Sequence, residues 1–293
     1  MKKNMVRIDE RFHRNLSLFL EKEIPSDSSF VLAVSGGIDS MVLLDLFSGF
    51  VREKGVNACV AHMNHGIRAE SDEEYEFVEA ASKKNGLRFY GCKKDIPYLL
   101  KNSYRGRSPE ECARDVRRSF LESVKDEFHG DYIVTAHHKD DLLETFIMRL
   151  IKGTGINGIT GMRKTDGHIL RPLMDFWRND IENYAFLKKI EYREDKTNYD
   201  VDYLRNLIRI RTVPYLRESF GDSVKDVLIR DWDNLSAVDE FIDYYYLEDF
   251  KKKCEIKTDE CHVFFCDVVK YPAAVRREYL LRLYRDWNGS VFG

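Results

Sequence analysis

Short apolar runs alternate with longer stretches of mixed polarity through the first half of the chain. Residues 30–34, Phe-Val-Leu-Ala-Val, are apolar without interruption and too short for a helix, which predicts a strand buried on both faces. Residues 57–62, 87–92 and 131–136 repeat that pattern, and 168–170 adds a shorter strand. Between them, 40–50, 70–85, a segment opening at Ser108, and 140–151 read as helices. Ser108 is followed by Pro109 and then by Glu111, so the long helix is expected to start in a capping box with proline at its first position. This alternation predicts an α/β fold, a doubly wound, mostly parallel sheet with helices on both faces, Rossmann-like in layout. In such sheets ligands bind beyond the carboxyl ends of the strands. After Gly153-Thr154-Gly155 the rhythm loosens, with helices expected at 178–190 and 203–213. The pattern divides the chain into a larger domain, 1–215, carrying a helical arm near 176–215, and a small C-terminal domain, 216–293. That tail reads as mainly helical with a β-like patch at 263–269.

Composition narrows the partners. The chain has 293 residues, 43% of them hydrophobic, enough for a real core. Basic and acidic residues number 47 and 50, so the net charge of -3 does not advertise nucleic-acid binding, and any RNA contact must come from local patches. Six cysteines occur without a C-x-x-C pair, which favours reduced thiols over disulfides or a cluster site. Residues 1–10 lack the apolar run of a signal peptide, and no stretch approaches the roughly 18 apolar residues of a membrane span. A soluble, cytoplasmic protein without membrane contact is expected.

The chemistry is concentrated in a few segments. Ser35-Gly36-Gly37-Ile38-Asp39-Ser40 follows the first strand directly. Two glycines permit a tight turn, and the first amides of the next helix, with its dipole, favour an anion. A pair of glycines alone fits an ordinary corner; S-G-G-x-D-S after V-L-A-V points to a phosphate cradle, and it is not a Walker loop. The second strand leads into His62-Met63-Asn64-His65-Gly66-Ile67-Arg68, a polar group suited to nucleotide or RNA, although His62 alone is equally well read as a structural histidine. Arg114 and Arg117 lie three apart on one helix face, either an anion site or an exposed basic face. Asp141 and Glu144 share one side of a first helical turn after His137-His138, where carboxylates could bind an ammonium group, hold a metal or complement the helix dipole.

The loop resembles the PP-loop of the ATP pyrophosphatase superfamily, and the ordered series resembles the tRNA(Ile)-lysidine synthetases. That series comprises H-x-N-H-x-x-R, Glu111-Cys112-Ala113-Arg114-Asp115-Val116-Arg117, the Asp140-Asp141-Leu142-Leu143-Glu144-Thr145 segment, Gly153-Thr154-Gly155, Arg171-Pro172-Leu173, Glu194-Asp195-Lys196-Thr197-Asn198 and Tyr203-Leu204-Arg205-Asn206-Leu207-Ile208-Arg209. The resemblance covers about residues 30–216. Leu142 departs from it where a polar residue is usual, and Arg118 where an aromatic is common; the first leaves the fine placement of the lysine site open.

The resemblance implies a PP-loop ATPase fold and a ligase that uses ATP and Mg²⁺ to join L-lysine to carbon 2 of the wobble cytidine of a CAU-anticodon tRNA(Ile), releasing AMP and pyrophosphate. It implies nucleotide binding by Ser35, Gly36, Gly37, Ile38, Asp39, Ser40, His62 and Asn64, with Asp39 as metal ligand. Catalytic roles fall to Asp39, Arg114, Arg117, His137, Asp141 and Glu144. Lysine is expected at Asp141 and Glu144 and tRNA at Arg205 and Arg209, with the tail as a further RNA contact and a homodimer as the assembly. Three alternatives fit the residues less well. A tRNA thiolase is disfavoured by the missing C-x-x-C, an NAD- or GMP-synthetase-type ligase by the H-x-N-H and R-N-x-x-R motifs, and a non-catalytic nucleotide or RNA module by intact Asp39, Asp141 and Glu144.

Overall fold

The computed structural model describes residues 2–66, 71–104, 106, 108–193, 204–256, 261–263 and 265–288. The chain folds into two compact units: residues 1–142 with 163–199, and residues 143–162 with 200–293. In this grouping 143–162 and 204–215 fall with the tail, while the sequence pattern places a boundary at 215.

The first unit is built on a six-stranded sheet, with strands β1 (Phe30–Ala33), β2 (Ala58–Asn64), β3 (Arg88–Lys93), β4 (Tyr132–Val134), β5 (Thr165–Asp166) and β6 (Ile169–Leu170) in the order β3-β2-β1-β4-β6-β5. All neighbouring pairs are parallel except β5 with β6. Helix α1 (Lys2–Glu23) leads into β1; α2 (Ile38–Lys54) joins β1 to β2, and α3 (Ser71–Lys84) joins β2 to β3. Helices α4 (Ile96–Asn102) and α5 (Pro109–Phe128) return the chain to β4. The order reverses at β1, with β2 on one flank and β4 on the other, so the loops after β1 and β4 open a crevice at the switch point.

Propensity and burial explain the elements. Phe30, Val31 and Leu32 are buried because β1 is central and covered on both faces, as its apolar run required. Ser108 caps α5 by accepting from Glu111 N, while the Glu111 carboxylate accepts from Ser108 N, the expected box. Helix α1 was not read from the sequence, where residues 1–10 registered only as charged. It is anchored by Phe12, Leu16 and Leu20, four residues apart on one face, and Phe12 stacks on Phe176 with ring centroids 3.8 Å apart. Helix α8 (Arg178–Lys188) packs on α2 through buried Ile181, Tyr184 and Ala185, and the Tyr184 hydroxyl donates to Asp45 Oδ2 at 2.8 Å.

In the second unit, the later part of α6 (Lys139–Lys152) and α7 (Ile156–Thr160) pack with α9 (Leu204–Leu207), a π-helical turn (Ile208–Thr212), α10 (Val213–Phe220), α11 (Val224–Tyr245), the hairpin β7 (Cys254–Ile256) and β8 (Cys261–Val263), α12 (Phe265–Val269) and α13 (Ala273–Asn288). The β-like patch at 263–269 is thus mostly the helix α12; the β structure lies just before it. A buried polar network ties this unit together. The Arg282 guanidinium donates to Asp243 Oδ1 at 2.6 Å, to Glu278 Oε2 at 3.0 Å and to Asp239. Asp239 in turn accepts from the Thr160 hydroxyl at 2.7 Å and from Asn157 at 3.2 Å, which fastens α7 to α11. Cys59, Cys92, Cys112, Cys254 and Cys261 form no disulfide among the described residues.

Candidate functional site

The loop after β1 turns on Gly36, whose φ of +94° is left-handed and suits only glycine without strain. Gly37 is the N-cap of α2, and no side chain caps that end. The first amides of a 17-residue helix therefore face outward without an acceptor from a capping residue, the arrangement an anion needs. Ser40 does not cap the helix. Its hydroxyl folds under the loop, accepting from the amides of Ser35 and Gly36 at 3.1 Å each and donating to Gly37 O at 2.8 Å, so it sets the shape of the turn.

Asp39, one residue into α2, meets two elements. Its Oδ2 accepts from Arg178 Nη1 at 2.5 Å, and its Oδ1 lies 3.7 Å from His138 Nε2. His138 is buried at the end of β4 and accepts at Nδ1 from the Asp140 amide at 3.2 Å. An amide N–H can only donate, so Nδ1 is bare and the ring proton sits on Nε2. That nitrogen lies 3.7 Å from Asp39 Oδ1 and 3.5 Å from Asp141 Oδ2. Asp141 Oδ2 also accepts from the His138 amide at 3.0 Å, so this carboxylate both caps α6 and faces the imidazole. The neighbouring His137 bonds through Nδ1 to the Thr135 hydroxyl at 2.8 Å.

The expected strand-end loop at His62 differs from the structure. Strand β2 continues to Asn64, so His62 and Asn64 are both buried. His62 Nδ1 donates to Val34 O at 2.8 Å, and desolvation holds the ring below the ordinary histidine range despite that bond, which keeps it neutral. Its Nε2 is then a buried acceptor without a hydrogen-bond partner among the described residues, open to a ligand's N–H or O–H. Asn64 is differently engaged: its amide donates to Ser71 O and Asp72 Oδ1 and accepts from Gly66 N at 2.8 Å, so it holds the loop together. Arg68 lies outside the described residues.

Arg114 and Arg117 are exposed on α5. Arg171, just past β6, is buried and gives Nη1 to Arg163 O at 2.6 Å, with Asp166 3.6 Å from Nη2. Burial pushes Arg171 below the usual guanidinium range; Asp166 raises it, and the nearby Arg114 charge lowers it again. Two guanidiniums near one another at the carboxyl end of the sheet favour an anion between them.

In the second unit Glu144 is 3% exposed and fully committed to cations. Arg209 grips both oxygens, Nε to Oε1 at 2.6 Å and Nη2 to Oε2 at 2.9 Å, and Arg205 Nε donates to Oε2 at 3.0 Å. The arginines expected to point at RNA thus turn toward the carboxylate expected to hold lysine. Residues 194–198 and Tyr203 lie outside the described residues.

The PP-loop domain profile matches residues 8–216. A tRNA(Ile)-lysidine synthase from Chlorobaculum tepidum is 35% identical over 242 residues, spanning 82% of this chain and 72% of the relative. The chain belongs to the tRNA(Ile)-lysidine synthase family of PP-loop proteins. A synthase from Caldanaerobacter subterraneus subsp. tengcongensis is 34% identical over 271 residues, 92% of this chain and 58% of the relative. The chain spans about half the length of several further curated relatives. Among solved structures, the U34-tRNA thiolase from Methanococcus maripaludis with its [4Fe-4S] cluster superposes with a TM-score of 0.63 at 16% identity, covering 78% of this chain and 80% of that one, which establishes the shared fold.

PP-loop membership implies the use of ATP, and the donor set can be tested for a metal ion that would travel with it. No group of three or more metal-ligating side chains comes together among the described residues. Mg²⁺ that travels with a nucleotide needs only one or two carboxylates besides the phosphates. Asp39 and Asp141 both face His138 Nε2, so the residues fit an ion carried by ATP rather than one held by the protein alone. Sequence reasoning missed His138, because adjacent histidines at a strand end give no means of choosing between them. It missed Arg178 as well, since nothing in its local pattern links it to a loop 139 residues away.

Proposed function

We propose that this chain ligates L-lysine to carbon 2 of the wobble cytidine of a CAU-anticodon tRNA(Ile), cleaving ATP to AMP and pyrophosphate, in the cytoplasm where that tRNA resides. The observation that carries the reading is the uncapped N-terminus of α2 at the sheet's switch point, with Asp39 set opposite the β4-end residues His138 and Asp141. Family membership supplies the reaction class. In the first step the cytidine O2 bonds to the α-phosphorus and the bond to pyrophosphate breaks. In the second the lysine ε-nitrogen bonds to carbon 2, AMP departs with the oxygen, and the amine loses a proton.

The chain's residues divide this work. The α2 amides and the Ser35–Ser40 turn receive the phosphates, and His62 Nε2 accepts a hydrogen bond from the nucleoside. Arg114 and Arg117 offset charge at the α-phosphate. Asp39 is the residue that would hold Mg²⁺, which would supply charge neutralisation for the leaving pyrophosphate. Asp141 and Glu144 orient the lysine ammonium, and His137 or a carboxylate takes its proton. Support for Glu144 is its present company: a buried carboxylate that already receives three cationic N–H groups is suited to an ammonium. Arg205 and Arg209 then turn from Glu144 to RNA phosphates.

The test combines the chain, ATP, Mg²⁺, labelled lysine and a CAU-anticodon tRNA. Label in the RNA, with AMP formed in equal amount, is expected. ATP cleavage without lysine transfer, or sulfur incorporated into the base from a donor, would reject the reading.

A further inference from the structure

A carboxylate beside a phosphate cradle works against the cradle, because it repels the anion that the helix N-terminus attracts. Asp39 stands in that position, and Arg178 is set against it. The two helices that carry these residues are packed side by side: Asp39 meets Arg178 near their N-termini, and six residues further along each helix Asp45 meets Tyr184. The pairing at both points means that α2 and α8 run in the same direction, so the first turn of α8 is presented at the mouth of the loop.

The backbone of Arg178 is fixed there. Its amide donates to Asp140 Oδ2 at 2.7 Å, which ties α8 to the start of α6, and Ile181, Tyr184 and Ala185 bury the helix behind it. The side chain is not buried to match: it is 41% exposed. Of its donors, Nη1 serves Asp39 and Nε serves Glu182 at 3.0 Å, while Nη2 has no protein partner among the described residues. An anchored arginine whose fork is half used is in a position to receive a second anion without leaving the first.

We propose that Arg178 is a nucleotide-binding residue whose guanidinium, held by Asp39 at the N-terminus of α2, contacts the pyrophosphate portion of ATP. The inference rests on the ATP reading above and adds a residue to it. Arg178 screens Asp39 before the nucleotide arrives and then bridges carboxylate and phosphate. A planar fork does this where a lysine's single nitrogen cannot serve both partners in line. Arg178–Asp39 is a partly exposed ion pair, and such a pair contributes little to stability, so its removal leaves the fold in place.

The experiment measures equilibrium binding of ATP with Mg²⁺, and separately of AMP, to the full chain without RNA. Wild type, Arg178→Ala and Arg178→Lys are compared, with melting temperatures recorded alongside. ATP binding should weaken about tenfold to a hundredfold in Arg178→Ala, with partial recovery in Arg178→Lys, while AMP binding and the melting temperature hold. ATP affinity unchanged in both variants would overturn the proposal. So would an equal loss of ATP and AMP, which would make Arg178 a prop for the loop. A wild-type chain that binds no ATP would instead bring down the ATP reading itself, and this inference with it.

Discussion

A buried imidazole bonded at one nitrogen and open at the other makes His62 sensitive to pH in a defined direction. Burial holds its folded value below the ordinary 6.5, so between the two values the unfolded chain binds the extra proton. Its contribution to stability is complete above about 6.5 and lost as pH falls below it. Melting temperatures measured from about pH 7.5 to about pH 5 should fall more steeply for wild type than for His62→Gln; parallel curves would mean that the folded ring protonates freely. Asp39 calls for a different expectation. Its side chain is 25% exposed and its partner Arg178 is more so, which puts its worth in charge rather than packing. Asp39→Asn should abolish pyrophosphate release while shifting the melting temperature little, and near-normal turnover would remove it from the phosphate site.

At the scale of elements, two buried ion clusters hold the second unit. Arg282 is 1% exposed and is ringed by Asp239, Asp243 and Glu278. Removing it leaves buried carboxylates without their cation, so Arg282→Met should cost about 3–5 kcal/mol, read as a marked drop in denaturation midpoint. An unchanged midpoint would show that water replaces the guanidinium. The π-helical turn after α9 brings Arg205 and Arg209 onto the same carboxylate, and such turns recur where function distorts a helix. Arg209→Ala should lower stability by about 2–3 kcal/mol, less than a full buried pair because Arg205 remains on Glu144. Its effect on RNA is separable: if Arg209 also reaches a phosphate, the salt slope of tRNA binding shrinks by about 1. An unaltered slope with a lower melting point would assign Arg209 to Glu144 alone.

The whole molecule carries a net charge of -3, so long-range attraction would not bring RNA to it and the proposed contact is a local one. The arrangement of the first unit places the phosphate loop and the β4-end residues at one crevice, and the proposed nucleophile comes with the RNA. Pyrophosphate release should therefore stay at background with ATP and Mg²⁺ alone, rise when a CAU-anticodon tRNA is added, and fail to rise with a tRNA of another anticodon. Release without RNA would mean that water or another acceptor reaches the α-phosphate.

Much of this was legible in the sequence because its causes are local. An apolar run such as 30–34 can satisfy its backbone only in a covered strand, a left-handed turn selects Gly36, and the Ser108 box closes within four residues. The β/α alternation then leaves few topologies, and the motif order carried the family. Tertiary structure alone decided the rest. Helix α1 depends on Phe12 finding Phe176. Strand β2 runs on past His62 because β3 pairs with it as far as Asn64. The 263–269 patch has strand-forming residues, yet α12 forms there within a unit whose packing overrides propensity. The choice of His138 over His137 to face Asp39, the placing of Arg178 on Asp39 and the closing of Arg205 and Arg209 on Glu144 all join residues 61 or more positions apart or turn on which way one side chain points. Sequence pattern reports the periodicity of one element at a time, and such contacts are set by which elements pack together.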